Sequence, residues 1–228
     1  MTAILNQHEN YLQADQAYGF PLLIKNLLSR AKVVSGDKKI HYADKTSYTY
    51  QEFFKRVNRL ANVLKGLNLQ KGDVVAVMDW DTHRYLECYF AIPMCGYILQ
   101  TVNVRLSEDK VLYTINHAKP KALLLNSEFS PMIKSHTQDA PSVEHVIWLD
   151  DNNTPMPPYA QGEYEAMLAQ ASDEYEFEDF DENTIATTFY TSGTTGNPKG
   201  VFFSHRQIVL HTLVVAIGCA LNVEGQGV

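Results

Sequence analysis

"VVAVMDWDTHRYLECYFAIPMCGYILQTV", residues 74–102, decides the fold. It opens on a β-branched apolar run, "VVAVMD" at 74–79, and closes on a second, "YILQTV" at 97–102. The intervening residues 82–95 carry apolar side chains at helical spacing. Two strands joined by a helix-length crossover run parallel, because a tight hairpin cannot return the chain to the same end of a sheet. The pattern repeats downstream. "KALLLN" (121–126) and "HVIWLD" (145–150) read as further strands. Helices are predicted at 108–118, behind the N-cap candidate Ser107, and at 129–137. Upstream, "KKIHYADKTSYTY" alternates about a polar turn and predicts a hairpin over 39–50. Thr49 and Glu52 form a capping box for a helix whose core face is Phe53, Val57, Leu60, Ala61 and Leu64, ending at Gly66. The expected fold class is α/β, in parallel-sheet layers with flanking helices.

Composition sets the limits on function. The 228 residues are 45% hydrophobic and 11% aromatic, enough to bury a core. Nineteen basic against 26 acidic residues give a formal charge of −7, which offers no broad basic surface and argues against nucleic acid as a partner. Cys88, Cys95 and Cys219 are odd in number and include no C-x-x-C pair, so they are read as buried thiols of a reducing compartment. The first twenty residues lack the basic and apolar regions of a signal peptide. The longest apolar run, "LVVAIGCAL" at 213–221, is too short to span a bilayer, so no transmembrane segment and a cytoplasmic location are expected. No His/Cys spacing indicates zinc. "DNNTPMPPYAQG" reads as a surface loop between subdomains, and the acidic "DEYEFEDFDE" (173–182) as a solvated connector.

Beyond the connector, "TIATTFYT" and "GVFFSH" (200–205) read as paired strands, with a helix over 206–220 after them. Between the strands, "TSGTTGNPKG" (191–200) packs three glycines, four hydroxyl side chains and one lysine into ten positions. Glycines let backbone approach a ligand, and hydroxyls and amides can converge on anionic oxygens. The spacing is not that of a Walker A loop, because Pro198 stands where its second glycine belongs and Gly200 follows Lys199. An ordinary flexible hairpin loop is the bland alternative.

The order of these residues resolves it. "YTSGTTGNPKGV" resembles the signature of the adenylate-forming superfamily of acyl-CoA synthetases, luciferases and peptide-synthetase adenylation domains. "TYQEFFKRVNRLANVL", "TVNVRLS" and "INHAKPKALLLN" extend the likeness over nearly the whole chain, and "VFFSHRQIVLHT" is most similar to the medium- and long-chain fatty-acyl-CoA ligases. The resemblance implies the acetyl-CoA synthetase-like fold, with residues 1–228 forming part of its N-terminal adenylation domain. These divide into an entry hairpin and helix (about 1–70), an α/β subdomain (about 71–150) and the start of a second subdomain with the phosphate loop (about 183–228).

The chemistry it implies is ATP-dependent activation of a carboxylic acid to an acyl adenylate, then transfer to coenzyme A. Thr191, Ser192, Gly193, Thr194, Thr195, Gly196 and Lys199 would hold the ATP phosphates, with Thr191 also a ligand of Mg²⁺. His205 stands where relatives often have histidine, and either a direct role or packing fits it. Complete relatives continue through an acyl-pocket segment, an adenine-binding stretch with a glutamate that also holds Mg²⁺, a ribose aspartate, a hinge and a C-terminal lid with the adenylation lysine. The expectation is therefore a truncated chain, inactive alone and open to homo-oligomeric self-association. Alternatives are adenylation of an aryl or amino acid, and a non-catalytic α/β fragment.

Overall fold

The computed structural model describes residues 19–191 and 196–224. Helix α1 (Ile24–Val34) precedes the hairpin β1 (Lys39–Tyr42) and β2 (Thr46–Thr49), which pairs antiparallel as the sequence predicts. Helix α2 (Tyr50–Gly66) starts where the capping box places it, Thr49 Oγ1 accepting a hydrogen bond from the Glu52 amide at 3.1 Å. There follow β3 (Val74–Met78), α3 (His83–Met94), β4 (Ile98–Thr101), α4 (Glu108–Ala118), β5 (Ala122–Asn126), α5 (His136–Asp139), β6 (His145–Leu149), β7 (Gly162–Glu163) and α6 (Tyr164–Gln170). The chain closes with β8 (Ile185–Thr191), β9 (Lys199–Ser204) and α7 (His205–Glu224).

Seven strands form one sheet in the order β7-β6-β5-β3-β4-β8-β9, all parallel except β9, which returns antiparallel along β8. The four strands expected over 74–150 are therefore neighbours, and β8 joins them through β4. The sheet continues across the boundary expected near residue 183.

Side-chain alternation divides the core between the two faces of the sheet. Val75, Val77, Leu99, Leu124 and Ile147 face α1, α2, α3 and α6. Ala76, Met78, Leu123, Leu125, Val146 and Trp148 face the opposite way, against Val111 and Ile115 of α4.

One face also holds a buried charge network. Glu87 of α3 is fully buried and accepts from Arg56 Nε (2.7 Å), Tyr48 Oη (2.9 Å) and Tyr164 Oη (2.6 Å). Arg56 in turn makes a two-pronged pair with Glu165 at 2.8 and 2.9 Å. Burial opposes ionisation of Glu165, but hydrogen bonds from His83 and Arg56 outweigh it and hold the carboxyl down at about 2. The network ties the hairpin, α2, α3 and α6 together.

Three expectations need correction. Residues 129–137 are not a helix: a 3₁₀ turn spans Ser127–Met132 and α5 is a separate short helix. The backbone leaves helical geometry between them, at Ile133 (φ −119°, ψ 74°), which breaks any continuous ladder of helical hydrogen bonds. Ser107 has the extended backbone of an N-cap, yet its side chain caps nothing. The acidic segment after α6 is a strap fixed to the body. Asn62 Nδ2 donates to the Ser172 and Glu174 carbonyls at 2.8 and 2.9 Å, and Lys25 Nζ to that of Phe177 at 2.5 Å. Tyr175 and Phe177 pack on the core while the alternating Glu174, Glu176 and Glu178 face water.

Candidate functional site

The loop sits where β8 ends, at the carboxyl edge of the parallel strands, the edge at which open α/β sheets bind ligands. Neighbouring turns at that edge are fixed from within. Buried Asp79, just after β3, accepts from Thr82 Oγ1 (2.5 Å), Asn126 Nδ2 (2.7 Å) and the Trp80 amide (2.9 Å). Burial raises the Asp79 carboxyl above its ordinary value against these hydrogen bonds. Thr82 also caps α3 by accepting from the Tyr85 amide.

Thr191 is the last residue of β8 and Lys199 the first of β9, and the two are register partners across the hairpin. Both are exposed. The loop is thus closed by a hydroxyl facing an ammonium-bearing chain. Ser192, Gly193, Thr194 and Thr195 lie outside the described residues.

Gly196 has φ +102°, which a side chain disfavours. Gly200 is closely packed: a Cβ there would come within 3.3 Å of the Tyr190 ring, which would have to give by a few tenths of an ångström. Tyr190 is itself held by a 2.7 Å hydrogen bond between its hydroxyl and His117 Nδ1. Beneath the loop, Thr188 Oγ1 donates to the Val201 carbonyl at 3.0 Å. A rigid two-stranded stem therefore presents the loop, and α4 braces the stem through His117. The sequence reading missed that brace, because residues 117 and 190 are joined only by the fold.

His205 belongs to the packing. It is 1% exposed, Nδ1 accepts from the Ile24 amide at 3.4 Å, and its ring meets Phe180 edge-on at 4.9 Å. Burial pushes its pKa down to about 4, so the ring is neutral at pH 7 and carries no charge to a ligand. Cys88 and Cys95 are buried as expected, and burial raises both thiols, Cys95 to about 12. Cys219 departs from expectation and is exposed, on α7. Among the described residues there is no group of three or more His, Cys, Asp or Glu that could hold a metal ion, and no helix is long and apolar enough to cross a membrane. A cavity of about 820 Å³ lies beneath the strap, between Lys65, Lys71 and Glu174.

A mostly parallel sheet with a glycine- and hydroxyl-rich loop at its carboxyl edge defines an open α/β class with a candidate ligand loop at the strand ends. Residues 28–225 match the model of the AMP-binding enzymes, and the chain belongs to that family. It is 34% identical to the medium-chain-fatty-acid–CoA ligase of Ectopseudomonas oleovorans over 90% of this chain and 39% of the relative. It is 35% identical to the long-chain-fatty-acid–CoA ligase of Thermus thermophilus over 86% of this chain and 35% of the relative. The chain thus spans under two-fifths of these curated relatives. The fold matches the anthranilate CoA ligase AuaEII, solved with anthranoyl-AMP, at a TM-score of 0.75 and 24% identity, over 82% of this chain and 36% of that one.

Proposed function

We propose that this chain is the part of an acid–thiol ligase that holds the phosphates of ATP, and that the whole protein converts a carboxylic acid to an acyl adenylate and then to its coenzyme A thioester. The observation carrying this is the Thr191–Lys199 loop on its braced stem, in a chain of the AMP-binding family. Attack of a carboxylate on the α-phosphate releases pyrophosphate, so donors and cations around the β- and γ-phosphates stabilise the departing charge. Lys199 supplies a mobile ammonium. Ser192, Thr194, Thr195 and the Gly193 and Gly196 amides supply neutral donors. Thr191 offers Mg²⁺ the hard oxygen it prefers, and that ion would neutralise phosphate charge when bound.

Fatty acids are the favoured substrate class, since both ligases matched above by sequence are named for them. An aryl acid is the alternative, since the sequence relatives also include a benzoate–CoA ligase of Arabidopsis thaliana at 32% identity. The division into an entry segment, an α/β subdomain and the start of a second subdomain belongs to the same proposal, as does inactivity of residues 1–228 alone. Carboxylate-dependent exchange of labelled pyrophosphate into ATP by the whole protein tests it; absence of exchange with fatty, aryl and amino acids alike contradicts it. Lys199→Ala should slow exchange by the equivalent of about 1.5–3 kcal/mol, the worth of one charge-assisted hydrogen bond. A raised Mg²⁺ requirement in Thr191→Ala, with unchanged circular dichroism, supports the metal role.

A further inference from the structure

The hairpin that carries the phosphate loop outruns the sheet. Strand β4 pairs with β8 only as far as Phe189, opposite Thr101, whereas β8 and β9 go on pairing through Tyr190–Gly200 and Thr191–Lys199. Strand β9 is the edge of the sheet. Among the described residues, the last two residue pairs, about 7 Å of strand, therefore project with no further strand beside them, and they carry Thr191 and Lys199. A two-stranded ribbon on its own twists strongly and is marginally stable.

One contact pins this projecting tip. Tyr190 Oη lies 2.7 Å from Nδ1 of His117, in the last turn of α4. Among the described residues this is the one side-chain hydrogen bond between the tip and the rest of the molecule. The imidazole is itself aimed by aromatic contacts: it meets Tyr190 edge-on at 5.7 Å and lies tilted against Tyr113, one turn back on α4, at 5.8 Å. The Tyr190 ring also lies against Gly200, the residue that follows Lys199. Burial raises the Tyr190 phenol above its ordinary value, so it keeps its proton at neutral pH and serves as the donor to Nδ1. His117 is exposed and belongs to neither core cluster, so the bond's reach is local to the tip.

We propose that the His117–Tyr190 pair positions the phosphate loop: it holds the tip so that Thr191 and Lys199 meet the ATP phosphates together, and its loss weakens the hold on MgATP while leaving the carboxylate's affinity unchanged. His117 touches no phosphate and acts through Tyr190. The inference rests on the adenylation reading and adds which residue outside the loop sets its aim.

Tyr190→Phe keeps the ring against Gly200 and removes only the hydroxyl, whereas His117→Ala removes the acceptor. In pyrophosphate exchange by the whole protein, each should raise the half-saturating MgATP concentration roughly three- to tenfold, the worth of one hydrogen bond. The half-saturating carboxylate concentration and the circular dichroism should not change. His117→Asn, whose Oδ1 is bonded to Cγ as Nδ1 is, should restore most of the loss, and the double variant should be no worse than either single one. An unchanged MgATP requirement in both single variants, an equal rise for the carboxylate, or a His117→Asn protein as impaired as His117→Ala overturns the positioning role and leaves adenylation standing. Amide hydrogen exchange of the 228-residue chain without nucleotide separates the two readings. Faster exchange at Tyr190, Thr191, Lys199 and Gly200 in both single variants, with no pyrophosphate exchange by the whole protein, upholds the pair's hold on the tip and removes adenylation; unchanged amide exchange in both variants overturns that hold.

Discussion

The two ends of the sheet solve the same problem differently. At the β3–β6 end every strand is buried on both faces by helices from this chain, and the fully buried carboxylate Glu87 meets Arg56 and two tyrosines. At the β8–β9 end, Phe202 is 62% exposed and α7 leaves Val214 at 69% and Ile217 at 60%. The first end is a finished core. The second presents a loop and a bare apolar helix face, and every residue proposed to hold ATP phosphates or Mg²⁺ lies there.

The largest expected effect falls on the finished end. Arg56→Met leaves Glu87 buried with only tyrosine donors and releases Glu165, and should cost about 3–5 kcal/mol by urea denaturation. Adding Glu87→Leu should recover much of that loss. A loss below about 1 kcal/mol for Arg56→Met would show that the network does not hold the hairpin, α2, α3 and α6 together.

The junction between the ends should be acid-sensitive. His205 sits at the root of α7, against Ile24 and Phe180, with its folded pKa pushed below the ordinary 6.5 to about 4. The unfolded chain therefore binds the extra proton first as pH falls. The stability from a neutral His205 is complete above about pH 6.5 and declines as pH drops towards 4, by up to about 3 kcal/mol. His205→Asn should flatten that slope, and an unchanged slope would move its origin to the carboxylates.

The smallest effect belongs to the open end. Val214→Ser and Ile217→Asp should change stability by no more than about 0.5 kcal/mol, because neither side chain is packed. Both should reduce concentration-dependent association in sedimentation. A large loss of stability would mean that this helix face is already covered.

What could be read from the sequence follows the same division. Strands β3 to β6 were legible because β-branched and leucine runs of strand length are bounded by polar turns, and α2 because Thr49 and Glu52 mark its start. The loop was legible because glycines, hydroxyls and a lysine stand in a fixed order. Illegible features had partners distant in sequence: Glu87 meets residues 48, 56 and 164, and Tyr190 meets His117. The strap held an overlooked signal. Tyr175 and Phe177 alternate with acids at a period of two, the mark of an extended segment with one face buried.

The most direct test of the phosphate-loop assignment is a titration of the isotope-labelled chain with MgATP, read at backbone amides. Shifts should gather at residues 191–200 and saturate weakly, on the order of millimolar, because phosphate donors alone exchange water contacts for little net gain. Lys199→Ala should weaken them further. Amides of 191–200 that stay still while others move, or a titration indifferent to Lys199→Ala, would contradict the assignment of ATP phosphates to this loop.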